Sequence, residues 1–266
     1  MPHAIPLLRT INIDRYVLPL REGGSVPGLI EADDGDKYVI KFRGAAQGPK
    51  VLIAELIGGE IARALGLNVP EIVFAKLDST FGRTESDQEL QSQFRASEGI
   101  NIGLRYLSGS NTFDPTVTKI NGLVASQIVW LDCLLTNIDR TARNTNMLIW
   151  NKDLWLIDHG ASLYFHFNWI KPAKQQALQP FKYVKDHVLL PYASKLNEVN
   201  KKSCDVLTNN VIQNIVAQIP DDWLMIEPPF NSTDDYRQGY KEFLLTRIAN
   251  SAIFVKEAIH ARKKII

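Results

Sequence analysis

Asp139, Asn144 and Asp158 are the residues whose types and spacing could do chemistry together. They stand in Asn137-Ile-Asp139-Arg-Thr-Ala-Arg143-Asn144-Thr-Asn146 and in Leu156-Ile-Asp158-His-Gly160. An acid, an amide five positions later, a short hairpin and an apolar strand ending in Asp-x-Gly would return the second acid beside the first pair. Phosphoryl transfer from ATP asks for such a set, because the protein does little covalent work in it. A carboxylate must meet the acceptor hydroxyl, and oxygen donors must hold magnesium against the phosphates. Mg2+ favours an octahedron of hard oxygens, which Asn and Asp fill in part while phosphate and water complete it. Singly, these residues read as a turn cap, a loop amide and a tight turn. Their joint order, behind an apolar helix and around a hairpin, favours the nucleotide chemistry.

That chemistry also needs a lysine aimed at the phosphates and an acid to hold it. Tyr38-Val-Ile-Lys41-Phe42 offers one cation among apolar neighbours. Alone it would read as an edge-strand lysine. The helix that follows carries Glu55 and Glu60 as possible partners, and Glu60 suits a solvated face. Upstream, Arg21-Glu-Gly23-Gly24-Ser25-Val-Pro-Gly28 is a loose phosphate-covering loop. Its spacing departs from G-x-G-x-x-G, but glycines let amide N–H groups approach phosphate oxygens closely. The base of the nucleotide is expected against main chain near Leu104 and Tyr106. Asp158, His159, His166 and His187 form a rival, zinc-binding set, but their spacing matches no compact ligand motif and satisfied structural histidines are commoner.

Periodicity supplies the elements that must position these groups. Strands are expected over 9–18, 28–32, 37–42, 70–77 and 99–104, the second and third joined by the Asp33-Asp34-Gly35-Asp36 turn. A helix is expected over 51–65, stopped by Gly66, and a short one near 85–94 within a polar connector. Residues 106–109 read as a short crossing. Beyond it come a buried helix over 117–136 and a hairpin over 147–150 and 154–157. Helices follow over 187–196, 208–218 and 234–261, with Thr208 capping the second and Ser232 or Thr233 the third. The class is α+β, with a strand-rich part over 1–104 and a helix-rich part over 105–266.

Composition narrows the classes further. The chain has 266 residues, 45% of them hydrophobic, with a formal net charge of +1. That balance gives no support to nucleic-acid binding by bulk electrostatics. Cys133 and Cys204 lie in apolar or helical stretches, which argues for reduced thiols and a cytoplasmic location. The first twenty residues hold no uninterrupted apolar run, and no stretch reaches the length of a membrane span, so no membrane association is expected.

At these motifs the sequence resembles the HipA-like kinases, of the protein-kinase-like and phosphoinositide-kinase-like superfamily. Leu134 to Leu148 and Leu154 to Leu163 look like that family's catalytic loop and metal-binding segment. Gly103-Leu-Arg-Tyr-Leu-Ser-Gly-Ser110 and Lys185-Asp-His-Val-Leu-Leu190 extend the likeness over nearly the whole chain. The resemblance implies a two-lobed protein-kinase-like fold, ATP and Mg2+ as cofactors, Asp139 as catalytic carboxylate, and Asn144 and Asp158 as metal ligands. It places the lysine's acid early in the helix, as in Ala54-Glu55-Leu56, and so favours Glu55. It suggests Arg143 as the cation near the transferred phosphoryl group, and Ser25 as a site of phosphorylation that would repel ATP. The implied activity is that of a Ser/Thr protein kinase with a protein substrate. A lipid or small-molecule kinase, and a non-catalytic nucleotide-binding module or toxin–antitoxin partner, are the alternatives. An Ala-Pro-Glu end is missing after Gly160, and the amino-terminal part is short for the larger toxin kinases, so a minimal kinase core is expected.

Overall fold

In the computed structural model, residues 6–20, 27–45, 47–83, 85–169 and 171–266 are described. Strand β1 (Thr10–Pro19) alternates at its start, so Ile11 and Ile13 turn inward. It pairs antiparallel with β2 (Gly28–Ala32), which turns through Gly35, at φ 81°, into β3 (Lys37–Lys41). Helix α1 (Pro49–Ala64), opened by its proline, separates β3 from β4 (Ile72–Leu77). After α2 (Gln88–Ala96), capped by the Asp87 carboxylate, β5 (Gly99–Arg105) pairs with both β3 and β4. A parallel pairing of β4 with β1 closes a barrel in the order β1-β2-β3-β5-β4. Ile30, Tyr38, Ile40, Val73 and Phe94 fill it. Helix α1 is buried from Val51 to Ala62 on every face, which is why its apolar residues run nearly without interruption.

The second part is built around α3 (Gly122–Leu135), buried from Ile128 onward. It starts five residues later than the periodicity predicts. Asp114 holds Thr116 in a tight turn through both its amide and its hydroxyl, and Asn121 then caps the helix by accepting from the Leu123 amide at 2.7 Å. Strand β6 (Asn111–Thr112) pairs with β7 (Met147–Trp150), and β7 with β8 (Asp153–Leu156). Asn151 and Lys152 both take positive φ in the turn between β7 and β8, the backbone that a two-residue hairpin favours.

Helices α4 (Ala173–Ala177), α5 (Leu196–Val206), α6 (Asn209–Val216), α7 (Thr233–Ala249) and α8 (Ala252–Lys263) complete the chain. Thr208 and Ser232 cap α6 and α7 as expected. The helix predicted over 187–196 is absent. A 3-10 turn at Leu190–Tyr192 stands there, preceded by another at Lys182–Asp186, and α5 begins where the prediction ends. His187 is extended because its ring turns inward, and Pro191 brings no N–H to a helix. The single helix predicted over 234–261 is two. Asn250 folds its side chain back onto the Thr246 carbonyl at 2.8 Å and stands as the C-cap of α7, and α8 begins at Ala252. Buried Arg247 fastens this region by donating to the carbonyls of Cys133, Ala177 and Gln179. No described helix is long and apolar enough to cross a membrane.

Candidate active site

Lys41 ends β3, and its Nζ lies 2.6 Å from Glu55 Oε2 on α1 and 2.5 Å from Asp158 Oδ1 after β8. Glu55 is wholly buried; the same Oε2 accepts the His159 amide at 2.8 Å, while Oε1 lies 3.3 Å from the His159 ring. Burial favours the neutral Glu55 carboxyl, yet the Lys41 charge and the His159 hydrogen bond outweigh it and hold the group well below the usual carboxylate range. Burial likewise works against the Lys41 ammonium. Asp158 and Glu55 more than offset that and raise it above its ordinary value. Glu60 pairs instead with Arg63 at 2.7 Å. Gly160 lets these groups meet, since a Cβ there would stand 2.7 Å from Val51 Cγ1 and 3.3 Å from Lys41 Nζ.

On the opposite wall, α3 ends at Thr136 in a left-handed conformation, and the chain turns into the loop that carries Asp139. Asn137 fixes this loop: its Oδ1 accepts the Asp139 amide at 3.1 Å and its Nδ2 donates to Asp132 Oδ1 at 3.0 Å. The other Asp132 oxygen takes Arg140 Nε at 2.6 Å and His187 Nε2 at 2.9 Å. His187 Nδ1 accepts the Leu189 amide, so the ring proton sits on Nε2 and points at Asp132. Burial would raise the Asp132 carboxyl, but Arg140 and His187 bring it well below the usual range. Arg140 also donates to the Asn146 carbonyl, which ties the far end of the loop to the same acid.

Asp139 Oδ2 accepts from Asn144 Nδ2 at 2.7 Å and from Asn146 Nδ2 at 3.1 Å. A carboxylate only accepts, so both amides turn their NH2 groups to it and leave their carbonyl oxygens free. Lys41, Asp158, Asp139 and Asn144 line one cleft of about 690 Å³, with Leu104 and Tyr106 at its crossing and Val39, Leu148 and Ile157 on its apolar walls. The Tyr106 amide is committed to the Lys37 carbonyl at 2.8 Å. Glu55 stands behind Lys41. Arg143 is exposed on the loop and is not among the cleft-lining residues. Gly23, Gly24 and Ser25 lie outside the described residues.

Sequence reasoning missed Asn146 and the Asp132, Asn137, Arg140 and His187 network. An acid inside the apolar run of α3 was the available signal, because a buried carboxylate must be paired. The histidines do not gather: His159 meets Glu55, His187 meets Asp132, and His166 Nδ1 lies 3.1 Å from the Tyr240 hydroxyl. Among the described residues no group of three His, Cys, Asp or Glu side chains could hold a metal ion. Burial lowers His166 from 6.5 to about 3, so the fold refuses a proton that the unfolded chain accepts. Stability should therefore fall as pH drops below 6.5 and continue falling toward 3. His166→Gln keeps a hydrogen-bonding group without titrating, and its Tm should depend less on pH across that window; an equal dependence would contradict the assignment.

A family model described as HipA-like kinase matches residues 13–256. Among solved structures, a Helicobacter pylori proinflammatory kinase, CtkA, is similar at 14% identity, with 97% of this chain and 99% of that chain covered and a TM-score of 0.54. The Golgi casein kinase with Mn/ADP bound gives 10% identity over 97% of this chain and 74% of that chain, with a TM-score of 0.49. No curated protein matches at a significant level. The likeness to CtkA is one of fold, which here is α+β and protein-kinase-like. With the match spanning both walls of the cleft, the chain belongs to the HipA-like kinase family and is a kinase-like phosphotransferase.

Proposed function

We propose that this chain is an ATP- and Mg2+-dependent Ser/Thr protein kinase, working in a cleft between lobes divided at 104/105. The observation that carries the reading is the joint placement of Lys41, held by buried Glu55, and of Asp139 with Asn144 and Asp158, all at one cleft. The donor chemistry fits a hard cation: Asp158 is about half exposed, and Asn144 keeps its carbonyl oxygen free while its NH2 serves Asp139. Magnesium bound by Asn144 and Asp158 would neutralise charge on the nucleotide phosphates during transfer. Lys41 would draw the phosphates into line, its own position set by Glu55. Asp139 would orient an acceptor hydroxyl and take its proton, while Asn144 and Asn146 fix the carboxylate rotamer. The apolar walls at Val39, Leu148 and Ile157 suit a base, with main chain beyond Leu104 as its hydrogen-bonding edge.

Incubation of the protein with γ-labelled ATP, magnesium and a mixture of protein acceptors tests this directly. Label should appear as phosphoserine or phosphothreonine and vanish when the metal is chelated. Label on added phosphoinositide alone would move the reading to a lipid kinase, and absence of transfer to protein, lipid or small hydroxyl compounds would overturn it.

A further inference from the structure

Glu55 meets Lys41 through one carboxylate oxygen and depends on His159 for the other. Oε2 takes Lys41 Nζ at 2.6 Å and the His159 amide at 2.8 Å. Oε1 has, among the described residues, only the His159 ring, with Nδ1 at 3.3 Å. A carboxylate only accepts, so the ring proton sits on Nδ1 and points at Oε1. Both residues are wholly buried, and a buried carboxylate oxygen that loses its donor carries the full cost of its desolvation. The second ring nitrogen, Nε2, is buried with no protein partner among the described residues. An apolar side chain would fill the same space without burying that atom, so packing alone does not account for a histidine here. The ring's one polar contact on the protein is Glu55.

The surrounding backbone is shaped to hold that contact. Gly58 lies one turn beyond Glu55 on the same face of α1, and a Cβ there would stand 2.6 Å from His159 Cβ and 3.0 Å from its Cγ. The His159 carbonyl accepts the Ser162 amide at 2.9 Å, which fixes the chain after the ring. Asp158, just before it, takes a φ of 55° and reaches Lys41 Nζ through Oδ1. Lys41, Glu55, His159 and Asp158 therefore close a ring of contacts, completed by the peptide bond between the last two. If the Glu55 branch slackened, Lys41 would keep only Asp158, and that acid would answer the lysine instead of a cation.

We propose that His159 is a positioning residue for phosphoryl transfer: its ring aims the Glu55 carboxylate, and through it keeps Lys41 from closing onto Asp158. The proposal rests on the kinase reading and adds to it a residue that touches neither nucleotide nor acceptor. The notch at Gly58 belongs to the same device, because it sets how closely α1 approaches the ring.

The test compares His159→Asn, whose amide NH2 stands near the place of Nδ1, with His159→Leu, of almost the same shape and without a donor. kcat and the KM for ATP are read with the protein acceptors of the transfer assay, and ATP binding is read by calorimetry without an acceptor. His159→Leu should lower kcat by about tenfold to a hundredfold, the scale of one hydrogen bond to a charged group, and should weaken ATP binding. His159→Asn should retain most of the kcat, although both variants lose the same ring packing. Gly58→Ala, which removes no polar group, should lower kcat by pushing α1 from the ring. In a Glu55→Gln protein, adding His159→Leu should cost nothing more, since His159 acts through Glu55. Equal kcat in the Asn and Leu variants, or losses that add in the double variant, overturns the proposal and leaves the kinase reading standing. If His159→Leu does not fold, His159→Gln replaces it: its donor stands farther out, near the place of Nε2, so it should lose the kcat that His159→Asn keeps. If the wild type transfers nothing, the kinase reading falls and ATP binding decides alone. Weaker binding in the Leu than in the Asn variant then upholds the hold on Lys41, and equal binding overturns it.

Discussion

Asp139→Asn should give a folded protein that still binds ATP but transfers its phosphoryl group about 10²–10⁴-fold more slowly, the range for loss of a positioned acid–base group. The substitution is nearly isosteric and sits on a half-buried loop residue, so the fold has little to lose. On the proposed mechanism the chemistry would lose both the negative charge that orients the acceptor hydroxyl and the group that takes its proton. The Asn144 and Asn146 amides, which now donate to one carboxylate oxygen, would face an amide that can present only one acceptor. ATP affinity should hold, because the pairing of Lys41 with Glu55 and Asp158 involves no atom of Asp139. Single-turnover transfer, ATP titration and Tm separate these effects. Transfer within threefold of wild type would remove Asp139 from the chemistry, and a large drop in Tm would make the loss uninformative. Asp158→Asn is the companion: it would weaken the proposed cation site together with the ion pair to Lys41, so its loss of activity should come with weaker nucleotide binding in magnesium.

How much of this was legible in the sequence follows physical locality. Asp139, Asn144 and Asp158 lie on a loop and a hairpin only twenty residues long, so chain geometry alone brings them together. The strand bearing Lys41 was readable for the same reason, a tight Gly35 turn between apolar runs. Choosing Glu55 over Glu60 was not a matter of periodicity, since both are buried; only the direction of α1 against His159 separates them. The closing of the barrel by β1 against β4 joins residues some sixty positions apart and leaves no local trace. Helix errors came where a side chain overrode backbone preference. His187 spends its ring on Asp132, and Asn250 folds onto its own helix, choices that depend on tertiary partners or competing polar groups.

Asp132 should prove the most destabilising single position in the molecule. Asp132 and Arg140 are both fully buried; among the described residues Asp132 is the one acid paired with Arg140, and it also accepts from His187 and Asn137. Removing it by Asp132→Asn keeps the shape but leaves a guanidinium in the core without a counter-charge, a change that costs about 3–5 kcal/mol. Against a typical domain stability of about 5–15 kcal/mol, such a loss leaves a folded but much weakened protein. The pH dependence identifies the cause. The fold holds Asp132 below its ordinary value of 3.8, so its ionised form stabilises the native state above that pH, and the contribution drains away as pH falls toward the folded value. Wild type should therefore exceed the variant by most of this energy at neutral pH, and the gap should narrow below about pH 4 as the unfolded carboxylates take up protons. Urea unfolding at a series of pH values measures it. A gap constant from neutral pH to acid would mean that packing rather than charge holds this site. The loop tied to Asp132 through Asn137 would then need another explanation for its order.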